Sequence, residues 1–178
     1  MLKTRLIPCI ITKNDLVVQS FNFNKYLPIG NVKTAIEFFV NWDVDEIVII
    51  DIDASKESRS PNVELVAWAA RECFVPLTVG GGIKTLEHIQ SLLKAGADKV
   101  CLNSVVRENM SFITEASNIF GDQCITVSVD VVKTNNGYEI YDYLNKDVYN
   151  VDLTQHLKGI EAAGAGEILL NSIDQDGS

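Results

Sequence analysis

The chain has 178 residues, 47% of them hydrophobic, and a formal net charge of −9 at pH 7. That apolar content suffices for one domain with a sizeable core, while the acidic balance argues against nucleic acid or a polybasic membrane contact as partner. No apolar run reaches the length of a membrane span and no charged-then-apolar leader opens the chain, so a cytoplasmic protein is expected.

Continuous apolar runs, as parallel strands buried on both faces require, mark strands at Leu6–Ile11, Glu46–Ile52, Pro76–Val79, Lys99–Leu102, Ile125–Asp130 and Glu167–Asn171. Helical patterns lie between them. Asn31 caps a helix running to Trp42, Pro61 suits the first turn of one reaching Cys73, and Thr85 opens one that stops at Gly96. A further helix runs from Asn109 to Gly121. The last begins with Asp152 and Gln155 as a capping box, carries Leu153, Leu157 and Ile160 on one face, and ends at Gly164. Two stretches break the rhythm, Thr12–Gly30 with its alternating Leu16–Phe23 run, and Val131–Asn150 with Asn135-Asn136-Gly137. Both read as hairpin-bearing loops after strands one and five. The four cysteines (Cys9, Cys73, Cys101, Cys124) have no metal-ligand or CxxC spacing and read as reduced core thiols. His88 and His156 read as surface residues, and no spacing implies a metal or redox cofactor.

This strand–helix alternation admits an α/β barrel or a doubly wound sheet. A repeat favours the barrel: the stretch from Asp45 to Ser55 returns as Gly166 to Ser178, with an offset of 121 residues from Glu46 to Glu167. A four-strand unit used twice gives about 240–250 residues, the size of a (β/α)8 TIM barrel. The expectation is one (β/α) barrel domain over residues 1–178, truncated after strand six and lacking its C-terminal quarter. Its open strand edges predict self-association.

Leu77–Lys84 contains three consecutive glycines, Gly80 to Gly82, which let the backbone approach a ligand and turn its N–H groups toward an anion. Asn103 and Ser104 end the next strand, and the pairing makes phosphate binding a better reading than a tight turn alone. Asp51, Asp53, Gly82, Asn103, Ser104, Asp130, Asp174 and Asp176 all fall at C-terminal strand ends, where barrel enzymes place their chemistry. Asp51 and Asp53 also suit simple loop capping. Asp130 ends a buried run, where a carboxylate is costly without partners or work to do. Arg5, Glu46, Lys99 and Glu167 occupy the opposite strand ends; on geometry alone they read as a rim salt-bridge cluster.

Pro8-Cys9, Leu77–Lys84, Ala95–Val100, Asn103-Ser104, Gly121–Gln123, Asp130 and Gly164–Ser178 resemble the cyclase subunit of imidazole glycerol phosphate synthase along the whole chain. The resemblance implies a (β/α)8 barrel paired at its N-terminal face with a glutaminase subunit. Ammonia then crosses the barrel to an active site at the other face, which holds a phosphorylated small-molecule substrate. It implies Asp130 as catalytic acid–base, Gly81, Gly82, Asn103, Ser104, Asp51 and Asp176 as substrate and phosphate ligands, and Arg5, Glu46, Lys99 and Glu167 as a charged ammonia gate.

Two positions depart from the family. Its strand-one catalytic aspartate is replaced by Ile11 and a loop lysine by Gln19. Isoleucine cannot exchange protons, which puts ring closure in doubt. The pattern suits paralogues from surface-polysaccharide synthesis, which are thought to pass ammonia to a sugar-bound acyl group. The alternatives are a histidine-pathway cyclase with a rearranged base and a non-catalytic scaffold that keeps only the docking face.

Overall fold

In the computed structural model, which describes residues 4–178, the chain forms two compact units. Unit 1 comprises Met1–Gln19 and Leu27–Cys101, and unit 2 comprises Ser20–Tyr26 and Leu102–Ser178.

The strands and helices of unit 1 alternate. β1 (Cys9–Lys13) turns back antiparallel on β2 (Leu16–Phe21) through Asn14 and Asp15, both at positive φ, as a two-residue hairpin turn requires. β3 (Lys25–Gly30) leads to α1 (Val32–Val40). β4 (Ile47–Asp51), α2 (Val63–Glu72), β5 (Leu77–Gly80), α3 (Leu86–Lys94) and β6 (Lys99–Leu102) follow. β1, β4, β5 and β6 are parallel neighbours in that order.

The register sorts their side chains into two faces. Ile10, Ile47, Ile49, Leu77, Val79, Val100 and Leu102 share one face and are all buried. Around Ile49 and Val79 stand Val66 of α2 and Leu92 of α3, so this is the face the helices cover. The other face carries Cys9, Ile11, Val48, Ile50, Thr78, Lys99 and Cys101. The helix side is wholly apolar, and the polar side chains Thr78 and Lys99 stand on the second face among Ile11, Val48 and Ile50.

Unit 2 contains α4 (Ser104–Glu108), α5 (Ser111–Phe120), β7 (Ile125–Thr134), β8 (Gly137–Asp142), β9 (Asp147–Tyr149), α6 (Leu153–Ala163) and β10 (Glu167–Ser172). β7 and β10 are parallel, with Glu167 opposite Thr126, Leu169 opposite Ser128 and Asn171 opposite Asp130. β7, β8 and β9 form an antiparallel meander, which places a hairpin where the Asn135-Asn136-Gly137 signal predicts one. Parallel strands joined through helices make this an α/β fold of the (β/α) barrel class.

The caps follow the sequence signals closely. Asn31, Thr85 and Asp152 accept hydrogen bonds from the backbone N–H groups of Thr34, His88 and Gln155, and Gly164 ends α6 at φ 104°. Four details differ. Asn62 takes the cap of α2 by accepting from Leu65 N, so Pro61 lies outside the helix. Asn109 ends α4 and its side chain receives Ser111 N, so α5 starts two residues late. Cys9 opens β1 exposed, and Cys124 is half-buried, so only Cys73 and Cys101 are core thiols. His156 is buried rather than on the surface, because the covered stripe of α6 runs through His156 and Ile160, four residues apart; His88 is half-buried.

Candidate functional site

At the N-terminal strand ends of unit 1, Glu46 sits just before β4 and is 2% exposed. Its carboxylate accepts from Thr78 Oγ1 at 2.6 Å, from Lys99 Nζ at 3.0 and 3.2 Å, and from Arg5 Nη1 at 3.3 Å. Two cations and a hydroxyl offset the cost of taking this charge out of water. The sequence identified Arg5, Glu46 and Lys99 but missed Thr78. Period-two alternation along β5 was the available signal, since it puts Thr78 beside Lys99 on the polar face. Glu167 opens β10 in unit 2, in register with Thr126, whose buried hydroxyl has no hydrogen-bond partner among the described residues.

At the C-terminal strand ends of unit 1, Asp51 organises its own loop. Its Oδ1 accepts the N–H groups of Asp53 and Ala54 at 3.0 and 3.1 Å, and Arg59 pairs with Oδ2 at 2.9 Å. Asp51, then Glu57, hold the Arg59 guanidinium well above its ordinary pKa. Asp53 is buried against Lys13 Nζ, which reaches both carboxylate oxygens at 2.8 and 3.0 Å. Gly81 and Gly82 have φ of 107° and 70°, and a Cβ there would stand 2.3 Å from Asp51 O and 2.4 Å from Arg59 O. Close approach of two backbones therefore demands glycine at both places. The Gly82 N–H donates to Ser55 Oγ at 3.3 Å. Ile11 is half-buried in register with Ile50, and Gln19 is exposed on β2.

The C-terminal strand ends of unit 2 centre on Asp130, 4% exposed. Asn103 Nδ2 donates to its Oδ2 at 2.9 Å and Asn171 Nδ2 to its Oδ1 at 3.3 Å. Burial raises the Asp130 pKa above the usual carboxylate range, against the opposing pull of the two amides and of Arg107. This carboxyl therefore holds its proton more firmly than an exposed one would. Asn171 was not singled out from sequence, although it ends strand six as Asp130 ends strand five. Ser104 is buried at the start of α4. Asp176 Oδ2 accepts from Ser20 Oγ at 2.6 Å and from Phe23 N at 3.0 Å, so it pins the turn between β2 and β3. Asp174 accepts from Lys133 N at 2.6 Å.

A buried carboxyl at the C-terminal end of a parallel strand, in a repeat of strands joined through helices, places the chain in the (β/α) barrel class. The chain belongs to the histidine biosynthesis protein family, whose sequence model matches residues 5–178. It is 67% identical over 178 residues to a Vibrio vulnificus (strain YJ016) protein that bears the provisional name imidazole glycerol phosphate synthase subunit hisF2, covering 100% of this chain and 65% of that protein. A Campylobacter jejuni protein of the same provisional name is 44% identical over 99% of this chain and 70% of its own length. Imidazole glycerol phosphate synthase subunit HisF of Exiguobacterium sp. (strain ATCC BAA-1283 / AT1b) is also 44% identical, over 99% of this chain and 69% of its own length. The chain thus spans about two thirds of these relatives.

Proposed function

We propose that the chain belongs to the synthase subunit of a glutamine amidotransferase, which receives ammonia from a glutaminase partner and adds it to a phosphorylated or sugar-nucleotide acceptor. The observation that carries this reading is the buried Glu46 cluster. A carboxylate held by Lys99, Arg5 and Thr78 at the strand ends remote from barrel chemistry has no substrate to serve there, and suits a gate for a small polar molecule. In unit 2 the Thr126 hydroxyl, with no hydrogen-bond partner among the described residues, is a group that passing ammonia or water would satisfy. Glu167 is assigned to the gate from its place at the start of β10.

Asp130 is the acid–base group near the acceptor carbon, oriented by Asn103 and Asn171. The Gly81-Gly82 turn in unit 1 and Ser104 in unit 2 are each assigned as phosphate ligands. Asp51 and Asp176 shape the loops that border the substrate. Ile11 and Gln19 favour sugar amidation over ring closure, because neither offers the proton-exchanging group that cyclisation calls for at those places. The 44% identity to the Exiguobacterium HisF favours a second reading, imidazole glycerol phosphate formation with a rearranged base.

In the full complex, Lys99→Ala should lower glutamine-driven turnover far more than turnover from added ammonium. Equal loss from both nitrogen sources would reduce the Glu46 cluster to a structural ion pair. Robust cyclisation by the wild type with added ammonia would instead select the second reading.

A further inference from the structure

Unit 2 contains a cavity of about 310 Å3 lined by Val106, Arg107, Met110, Tyr149, Val151, Gln155 and His156, none of which hydrogen-bonds Asp130 although the Arg107 charge acts on it. Two features distinguish it from a packing void. The first is Arg107. Its side chain is only 10% exposed, and its Nη1 alone is committed, at 2.8 Å from Asp142 Oδ1 and 3.5 Å from Tyr141 O. The guanidinium carbon lies 5.4 Å from the centre of the Tyr143 ring. Nε and Nη2 make no hydrogen bond among the described residues, leaving planar donors of a nearly buried cation unused.

The second feature is His156. It is 8% exposed, packs edge-on against Tyr149 with ring centres 6.2 Å apart, and has no hydrogen bond to either ring nitrogen among the described residues. On one cavity wall stand the His156 imidazole and the guanidinium of Arg107, whose Nη1 is held by Asp142 while its Nε and Nη2 remain as donors that a ligand oxygen would accept from. Val106, Met110, Val151 and the Tyr149 ring supply apolar surface for the rest of such a ligand.

We propose that this cavity is a binding site for a small carboxylic acid with a compact apolar body, its carboxylate bridging Arg107 and His156. Charge selects carboxylate over phosphate. Asp142 already offsets Arg107, and a dianion would stand close to a carboxylate held in its charged form. A monoanion leaves a single excess charge, which His156 can balance by taking up a proton. Burial, then Arg107, keep His156 below its ordinary pKa in the empty site, so binding should raise it. Arg107 from α4, Asp142 at the end of β8 and Tyr149 on β9 are the charged and titratable groups that set this response.

Titration of the isotope-labelled full chain with benzoate, benzamide and inorganic phosphate, followed by NMR at His156 and at Arg107 Nε, tests the site. Benzoate should give saturable shifts and raise the His156 pKa. Benzamide should bind about tenfold more weakly or worse, for want of a charge-assisted pair. Arg107→Met should remove binding; because it also strands Asp142, Val151→Trp is the second variant, blocking the half-exposed rim while leaving the buried pair intact. No saturable response to benzoate, phosphate binding more tightly than benzoate, or benzoate affinity unchanged in Val151→Trp would overturn the proposal. None of these outcomes bears on ammonia transfer, which is read separately.

Discussion

Asp130 carries a stability cost in the side chain to which acid–base chemistry is assigned by proposal. Its folded pKa lies above the unfolded value because burial disfavours the charge. Between those two values the folded state binds more protons than the unfolded state. Stability therefore falls as pH rises through that window, and above it the cost is fully present. Asp130→Asn should raise the unfolding midpoint at neutral pH, lose that advantage below the ordinary carboxylate range, and abolish turnover. A thermal-melt series from acid to neutral pH checks the sign; a variant less stable at pH 7 than at pH 4, relative to wild type, would show that the amide contacts outweigh burial. Neutralising Glu46 should instead destabilise the fold. Glu46→Gln strands Lys99, whose side chain is 15% exposed, and should cost about 3–5 kcal/mol by urea denaturation. Arg5→Ala removes a half-exposed partner and should cost under about 1 kcal/mol. Asp130 was legible in the sequence because a carboxylate ending an apolar run is costly by itself. Thr78 and Asn171 were not, since a hydroxyl or amide in a strand is cheap until register gives it a charged neighbour.

The elements themselves were written in local chemistry. β6 matches its expected span, β4, β5 and β10 differ by a residue or so, and the caps at Asn31, Thr85 and Asp152 hold the bonds their residue types suggest. The misses fall where two local signals compete. Pro61 suits a first helical turn, yet Asn62 beside it is the better cap. On α6 the stripe of Leu153, Leu157 and Ile160 holds, and His156 lies within it, buried beside Ile160 rather than on the surface. The glycine run read as a phosphate loop is also forced by contact with the β4 loop, so Gly82→Val would disrupt packing whatever its effect on a ligand. For α6 the expected energies are plain. Asp152→Ala should cost about 0.5–2 kcal/mol through the lost cap. Gly164→Ala should cost more than about 1 kcal/mol, because it forces a side chain into a left-handed backbone, with its Cβ 2.6 Å from Ser117 Oγ. Chemical denaturation of the two variants measures both; an unchanged midpoint for Gly164→Ala would mean that the end of α6 rearranges freely.

At the scale of the whole molecule, the 178 residues leave one sheet surface in unit 2 uncovered. The apolar face of β7 is closed, with Ile125, Val127 and Val129 at most 3% exposed. The same face continues onto β10 as Ile168 and Leu170, which are 39% and 53% exposed. β10 pairs with β7 and with no other strand among the described residues, so its free edge presents unpaired backbone groups beside bare apolar side chains. That combination templates association in water, through added strand pairing and through burial of the two side chains. The 178-residue chain on its own should therefore self-associate as its concentration rises. Ile168→Lys with Leu170→Lys should suppress this by placing two desolvation penalties on the contact, without altering the buried side of β7. Sedimentation velocity over a concentration series of both proteins decides it. A wild-type chain that stays monomeric throughout would mean that backbone solvation at the β10 edge outweighs the exposed apolar surface, whereas association undiminished by the two lysines would place the contact on a different surface.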